Sequence, residues 1–168
     1  MILSSTAVRN GRLDERYGIN GSKDDQSYDI PLISFPLEWS DVPAGTKSFA
    51  LSLIDYDNCA DEGLIWIHWL ALIPGDYRSL KENASRIDPH LIQGYNSWAC
   101  RWEDCGDIPI EYARYYGGPA PEREHEYELV LYALDYEPDL NGGFYYNDLR
   151  RAMRGHLLDK AELKAFYG

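Results

Sequence analysis

The sequence predicts a mostly β protein folded as one domain over residues 1–168, and three observations lead there. Fourteen tyrosines and five tryptophans accompany runs of Val, Ile and Leu, residue types that suit a pleated, half-buried surface. Those runs are short and punctuated by Gly and Pro, as strands joined by turns are. Helical spacing of apolar residues is confined to the end of the chain.

The elements follow in order. Asn10-Gly11 signals a type I′ hairpin turn, whose two central residues both need positive φ. Gly18 to Ser27 is polar and loop-like, and Pro43-Ala44-Gly45 turns the chain into a strand that starts at Phe49. Asp57 to Gly63 joins that strand to the apolar run Ile65 to Ile73 as a hairpin connection, and Pro74-Gly75-Asp76 closes the run. Residues 77–116 form a long irregular excursion broken by Pro89, Gly94, Gly106 and Pro109, and loops of that length often shape a site. Its aromatics, Trp98, Trp102, Tyr112, Tyr115 and Tyr116, can cover the domain surface, wall a pocket or make a homodimer contact; Trp98 and Trp102 are expected to be largely buried. Leu129 to Leu134 reads as a core strand. Leu149, Ala152, Met153 and Leu157 share a helical face, with Asn147 or Asp148 as N-cap and His156 near the C-terminal end of the helix dipole. Asp159 and Glu162 are spaced as the capping box of a second short helix carrying Leu163 and Phe166.

The candidate site comes from strand periodicity. Residues two apart on a strand point to one face. His125 and Tyr127 therefore stand above Leu129 and Leu131 at the end of a core strand, just after the stiff run Gly118-Pro119-Ala120-Pro121. Phe49, Leu51, Leu53, Asp55 and Asp57 share a face that turns acidic at its end, and Trp66 and His68 share one that continues into Leu70 and Leu72. A buried polar group needs a partner, and these three sets can supply one another in one convergent pocket.

Sixteen basic against twenty-eight acidic residues give a net charge of −12, which repels nucleic-acid phosphates and anionic membranes at long range. No charged and apolar leader and no long apolar span is read, so a soluble cytoplasmic protein is expected. The odd set Cys59, Cys100 and Cys105 leaves at least one free thiol, and all three are expected reduced. No Gly-x-Ser-x-Gly elbow, phosphate-binding Gly-rich loop or dinucleotide turn is present, so no catalytic residue and no cofactor is assigned. Asp55, His68 and His125 could form a two-His-one-carboxylate metal set, although no local spacing supports it.

Several segments resemble one family: Pro36-Leu37-Glu38-Trp39, Val42 to Leu51, Asp55-Tyr56-Asp57, Trp66-Ile67-His68-Trp69 and Gln93 to Trp98. Tyr116 to Pro121, His125-Glu126-Tyr127, Tyr132 to Asp135, Gly143 to Asn147 and the tail beyond Ala152 continue the series in the right order. The chain is similar to the phosphatidylethanolamine-binding proteins, in the bacterial and archaeal branch often called Raf kinase inhibitor-like proteins. The resemblance implies a large antiparallel sheet packed on a smaller sheet, with short C-terminal helices. It also implies a small anion-binding cavity lined by Asp55, His68, Gly118, Pro119, His125 and Tyr127, with Trp66 and Asp57 beside it. Tyr56 stands where the family usually has Pro, and Glu126 where Arg is frequent, which counts against a partner surface built on a basic residue there.

The function expected is binding of a small anionic ligand (phosphate, phosphorylethanolamine or a nucleotide-like group), regulatory through a protein partner, with no nucleic acid and no integral membrane. A metal- or His-dependent hydrolase using the same pocket is the alternative.

Overall fold

A computed structural model describes residues 1–100 and 108–168. Its first strands are β1 (Ile2–Ser4), β2 (Val8–Arg9), β3 (Arg12–Leu13), β4 (Gln26–Ser27), β5 (Ile30–Pro31), β6 (Leu37–Ser40) and β7 (Ser48–Asp55). Helix α1 (Asn58–Glu62) precedes β8 (Trp66–Pro74), β9 (Ser79–Leu80), helix α2 (Ala84–Ile87) and β10 (Ile92–Gln93). Strand β11 (His125–Leu134), helix α3 (Tyr146–Ala152) and β12 (Leu157–Tyr167) complete it.

Among the described residues a seven-stranded sheet runs β10-β8-β7-β11-β12-β3-β2, beside a three-stranded sheet β1-β6-β9 and the pair β4-β5. Strands β8, β7, β11 and β12 pair antiparallel, whereas β12 meets β3 in parallel, so the large sheet is mixed. The small sheet covers one face of the large one. There Leu3, Leu37, Trp39 and Leu80 pack on Phe49, Leu51, Leu53, Trp69, Leu129 and Leu131. On the other face Leu149 of α3 and Phe144 cover Ala50, Leu70, Leu72 and Leu134. Burying each such large side chain stabilises the fold by roughly 1.5–3 kcal/mol relative to leaving it exposed. Strand β7 is buried along its whole length, which fits a central strand between two covered faces.

The hairpin read at Asn10-Gly11 forms, with φ of 52° and 75° at its central residues. Several expectations need correction. Leu157–Tyr167 is one long strand, so Leu157 lies outside α3 and Asp159 to Glu162 caps no second helix. Ala161, Leu163, Ala165 and Tyr167 alternate inward onto the core, and pairing along all of β11 outweighs a helical spacing of two apolar residues. The helix α3 is capped at Tyr145, with Asp148 returning the bond to its N–H. Trp98 is half-buried with its indole N–H enclosed; Trp102 and Cys105 lie outside the described residues. Cys59 is free and exposed, but Cys100 is disulfide-bonded, against the expectation of three reduced thiols. Among the described residues no helix is long and apolar enough to cross a membrane.

Candidate functional site

The ladder between β7 and β8 shifts register between Leu53 and Ile54: Ile54 faces Ile67, but Leu53 faces Trp69. His68 is the extra residue of a β-bulge, a device that re-aims side chains beside sites. Trp69, Ala71 and Ile73 consequently share the face of Leu51 and Leu53, while Leu70 and Leu72 turn to the opposite face under α3. The expectation that the His68 face continues into Leu70 and Leu72 is thereby corrected.

The bulge sets His68 against the segment before β11. Gly117 donates its N–H to the His68 carbonyl at 3.0 Å. The His68 ring returns the contact, with Nδ1 2.6 Å from the Gly117 carbonyl oxygen. A carbonyl only accepts, so Nδ1 carries the proton. His68 is 4% exposed, and burial holds its pKa down at about 4. Its Nε2 is buried with no hydrogen-bond partner.

His125, the first residue of β11, stands in a different setting. Its Nδ1 lies 2.7 Å from Asp55 Oδ2 and its Nε2 2.6 Å from Asp61 Oδ2. Asp61 sits on α1 and is held on its other oxygen by Arg123 Nε at 3.0 Å. Burial works against the charged ring, but the hydrogen bond and charge of Asp55, with Asp61 behind it, raise the His125 pKa. Both ring nitrogens donate in this state, so the ring is an imidazolium between two carboxylates. Asp55 Oδ1 accepts from the Asn58 N–H at 3.0 Å, so both oxygens of that carboxylate are occupied. Burial, followed by the neighbouring Asp55, pushes the Tyr127 phenol far above its ordinary pKa.

Asp55, Trp66, His68, Gly118, His125 and Tyr127 surround one cavity of about 120 Å³ together with Asn58, Glu62, Trp98, Ala120 and Pro121. The rings of His68 and Tyr127 meet edge to face at 5.1 Å, and those of Trp66 and Trp98 do so at 5.1 Å. Gly118 has no room for a side chain: a Cβ there would come 2.3 Å from the Tyr17 carbonyl oxygen. Two expected residues lie off the cavity. Asp57 accepts the Glu126 N–H at 2.9 Å and so secures the start of β11. Pro119 turns its ring to an apolar cluster with Phe35 and Leu163, and its carbonyl accepts from Ile19 at 2.8 Å. The Gly118 N–H is turned away from any ligand as well, since it bonds the Pro31 carbonyl at 2.8 Å. Glu126 faces away from the cavity and pairs with Lys164 at 3.3 Å.

Sequence reasoning missed Asp61, Asn58 and Glu62. An acidic turn between strands looks like any solvated surface loop, and only the short α1 folds it back over the cavity. Among the described residues no three His, Cys, Asp or Glu side chains converge as a metal ion requires. In particular, an imidazolium at His125 has no lone pair to give one.

Fold and cavity together define a mostly β protein with a small polar cavity at one end of its central sheet. A family model described as phosphatidylethanolamine-binding protein matches residues 3–168. YxkA of Bacillus subtilis is 38% identical over 153 residues, covering 90% of this chain and 86% of YxkA. A UPF0098 protein of Methanothermobacter thermautotrophicus is 36% identical over 162 residues, covering 94% of this chain and 91% of the relative. The crystal structure of the phosphatidylethanolamine-binding protein homologue CT736 from Chlamydia trachomatis superposes with a TM-score of 0.77 at 29% identity, over 99% of this chain and 95% of CT736. The chain belongs to the phosphatidylethanolamine-binding protein family.

Proposed function

We propose that the cavity binds a small phosphate-type anion, free or as the head of a larger molecule, and that the protein is a regulatory binding module acting through a protein partner. One observation carries the reading. His68 Nε2 is a buried polar atom without a partner on the wall of a polar cavity, and such an atom costs free energy until something bonds it. The indole N–H of Trp98, on the same wall, is also buried without a partner.

The carboxylates do not contradict this. Asp55 and Asp61 are matched by the His125 imidazolium and by Arg123, and Glu62 on the same wall accepts from the Asn58 amide at 3.2 Å. The same pairing supports binding over hydrolysis: His125, the group best placed for general base or metal ligand, has no free lone pair.

About 120 Å³ admits a few heavy atoms, so bare phosphate should bind weakly, with a Kd of about 1 mM. At tenfold excess over that Kd the ligand stabilises the fold by about 1.4 kcal/mol, a melting shift of roughly 3–6 °C for this length. His68→Ala should lose the shift. His156→Ala should keep it, because His156 is held by Asp135 beyond the far end of β11. A melting temperature indifferent to phosphate at both pH 6 and pH 8 rules the reading out.

A further inference from the structure

We propose that His68 makes this cavity selective for protonated oxyanions: it accepts a ligand that brings its own P–O–H and rejects a fully deprotonated tetrahedral anion such as sulfate. The inference rests on the phosphate-binding reading and adds to it the chemical state of the ligand.

The argument starts from the reciprocal contact of His68 with Gly117. The Gly117 N–H holds the bulged His68 backbone, and the Gly117 carbonyl takes the Nδ1 proton. The ring therefore cannot exchange tautomers without losing a buried hydrogen bond. In its neutral form Nε2 is a lone pair, an acceptor and not a donor. Protonating it would place a second cation in the same cavity as the His125 imidazolium, on a ring that is 4% exposed. Both carboxylate partners of that imidazolium are already engaged, and among the described residues no carboxylate is hydrogen-bonded to His68.

A ligand reaching His68 Nε2 must then donate. Hydrogenphosphate and dihydrogenphosphate can do so across neutral pH. Sulfate presents four acceptors, leaves Nε2 unpaired, and sets an oxygen lone pair against the nitrogen's. A site built to hydrogen-bond a particular group rejects an analogue lacking it, because its own buried group stays unpaired.

His68 on β8 faces Gly117, Tyr127 on β11 and, by charge, Asp55 and His125. His125 has Asp55 on β7, Asp61 on α1 and Arg123 from its own approach segment. Only His68 Nε2 among these ring nitrogens is unpartnered.

The test is calorimetric titration of the wild-type protein with inorganic phosphate, methyl phosphate and sulfate at matched ionic strength, at pH 5.5 and 7.5. Inorganic phosphate should bind at both values. Methyl phosphate, whose second pKa is about 6, should lose roughly tenfold in affinity as it sheds its last proton. Sulfate should bind at least about tenfold more weakly than phosphate at either pH. In His68→Gln, whose amide offers N–H donors, the phosphate-to-sulfate ratio should fall toward one. Sulfate matching phosphate within twofold, or methyl phosphate binding equally at both pH values, would overturn the selectivity while leaving a phosphate site intact. Phosphate failing to bind at either pH would overturn the binding reading and this inference together. Should His68→Gln not fold, the three wild-type titrations decide alone.

Discussion

His68 and Gly117 hold each other twice: the Gly117 N–H donates to the His68 carbonyl at 3.0 Å, and His68 Nδ1 donates to the Gly117 carbonyl at 2.6 Å. One residue is the extra member of a bulge in β8, the other part of the glycine run ahead of β11. Two segments about fifty residues apart in sequence are so locked into the corner from which the cavity is built. The lock also fixes a tautomer, which turns a backbone detail into the chemistry of the cavity.

Long-range proton–nitrogen spectra of a labelled sample should show His68 protonated on Nδ1 alone at neutral pH, and His125 protonated on both nitrogens. The two rings should then give opposite limbs to the stability–pH curve. The His68 pKa is lowered to about 4, so the native state binds fewer protons than the unfolded chain, and stability falls as pH drops from the ordinary 6.5 toward 4. The His125 pKa is raised above 6.5, so its contribution is full below 6.5 and is lost as pH rises through the native value. Urea midpoints across pH 4–9 should therefore pass through a maximum near neutrality. Two protons on His68 at pH 7, or a curve still rising from pH 6 to pH 9, would contradict these assignments.

Asp55 and Asp61 touch the same imidazole but should differ sharply on mutation. Asp55 is 3% exposed, and Asp55→Ala leaves a buried cation short of its counter-charge, which typically costs about 3–5 kcal/mol. Asp61 is partly solvated and shares its charge with Arg123, so Asp61→Asn should cost far less. A double-mutant cycle of Asp55→Ala with His125→Ala should return a coupling of at least about 1 kcal/mol. A coupling near zero would mean that solvent already screens the pair.

Much of this arrangement is legible in the sequence, for a physical reason. Where a strand is regular, alternation alone orders its faces, and that suffices to bring Asp55, His125 and Tyr127 together across the β7–β11 register. It fails where regularity fails. A bulge leaves no mark in an apolar run, so the turn of Leu70 and Leu72 to the other face was hidden. The last strand was hidden differently, because Ala161 and Ala165 are small enough for either period and the pairing that decides between them is non-local. Asp61 was invisible because its role depends on a five-residue helix folding back, and charged turn residues carry no signal of it.

The cysteines give a direct check on the corrected expectation. Cys59 is exposed and free, so alkylation of the native protein without reductant should label it, whereas Cys100 should resist until a reductant is added. Peptide mapping by mass spectrometry reads both sites. Labelling of Cys100 in denaturant without reductant would refute the disulfide.

The neighbouring glycines Gly117 and Gly118 separate stability from the shape of the site. At Gly118 an added Cβ would come 2.3 Å from the Tyr17 carbonyl and 2.8 Å from Pro31 Cβ. Both neighbours are fixed: Tyr116 donates its hydroxyl to that Tyr17 carbonyl at 2.6 Å, and Gly118 itself donates to Pro31 at 2.8 Å. Gly118→Ala should therefore cost at least about 1–3 kcal/mol, as overpacking in a close-packed interior does. With a urea m-value of roughly 2 kcal/mol/M the midpoint should drop by about 0.5–1.5 M. At Gly117 a Cβ would meet only side chains, Asn96 Nδ2 and Trp98 Cδ1 at 3.1 Å and Ile30 Cγ2 at 3.3 Å. These can yield by a few tenths of an ångström, so Gly117→Ala should lose less stability than Gly118→Ala. The ring that yields is Trp98 on the cavity wall, so the phosphate-induced melting shift should shrink in Gly117→Ala more than its stability does. Gly118→Ala with an unchanged midpoint would show that the backbone there has slack, and the stiffness read for the run Gly118 to Pro121 would have to be abandoned.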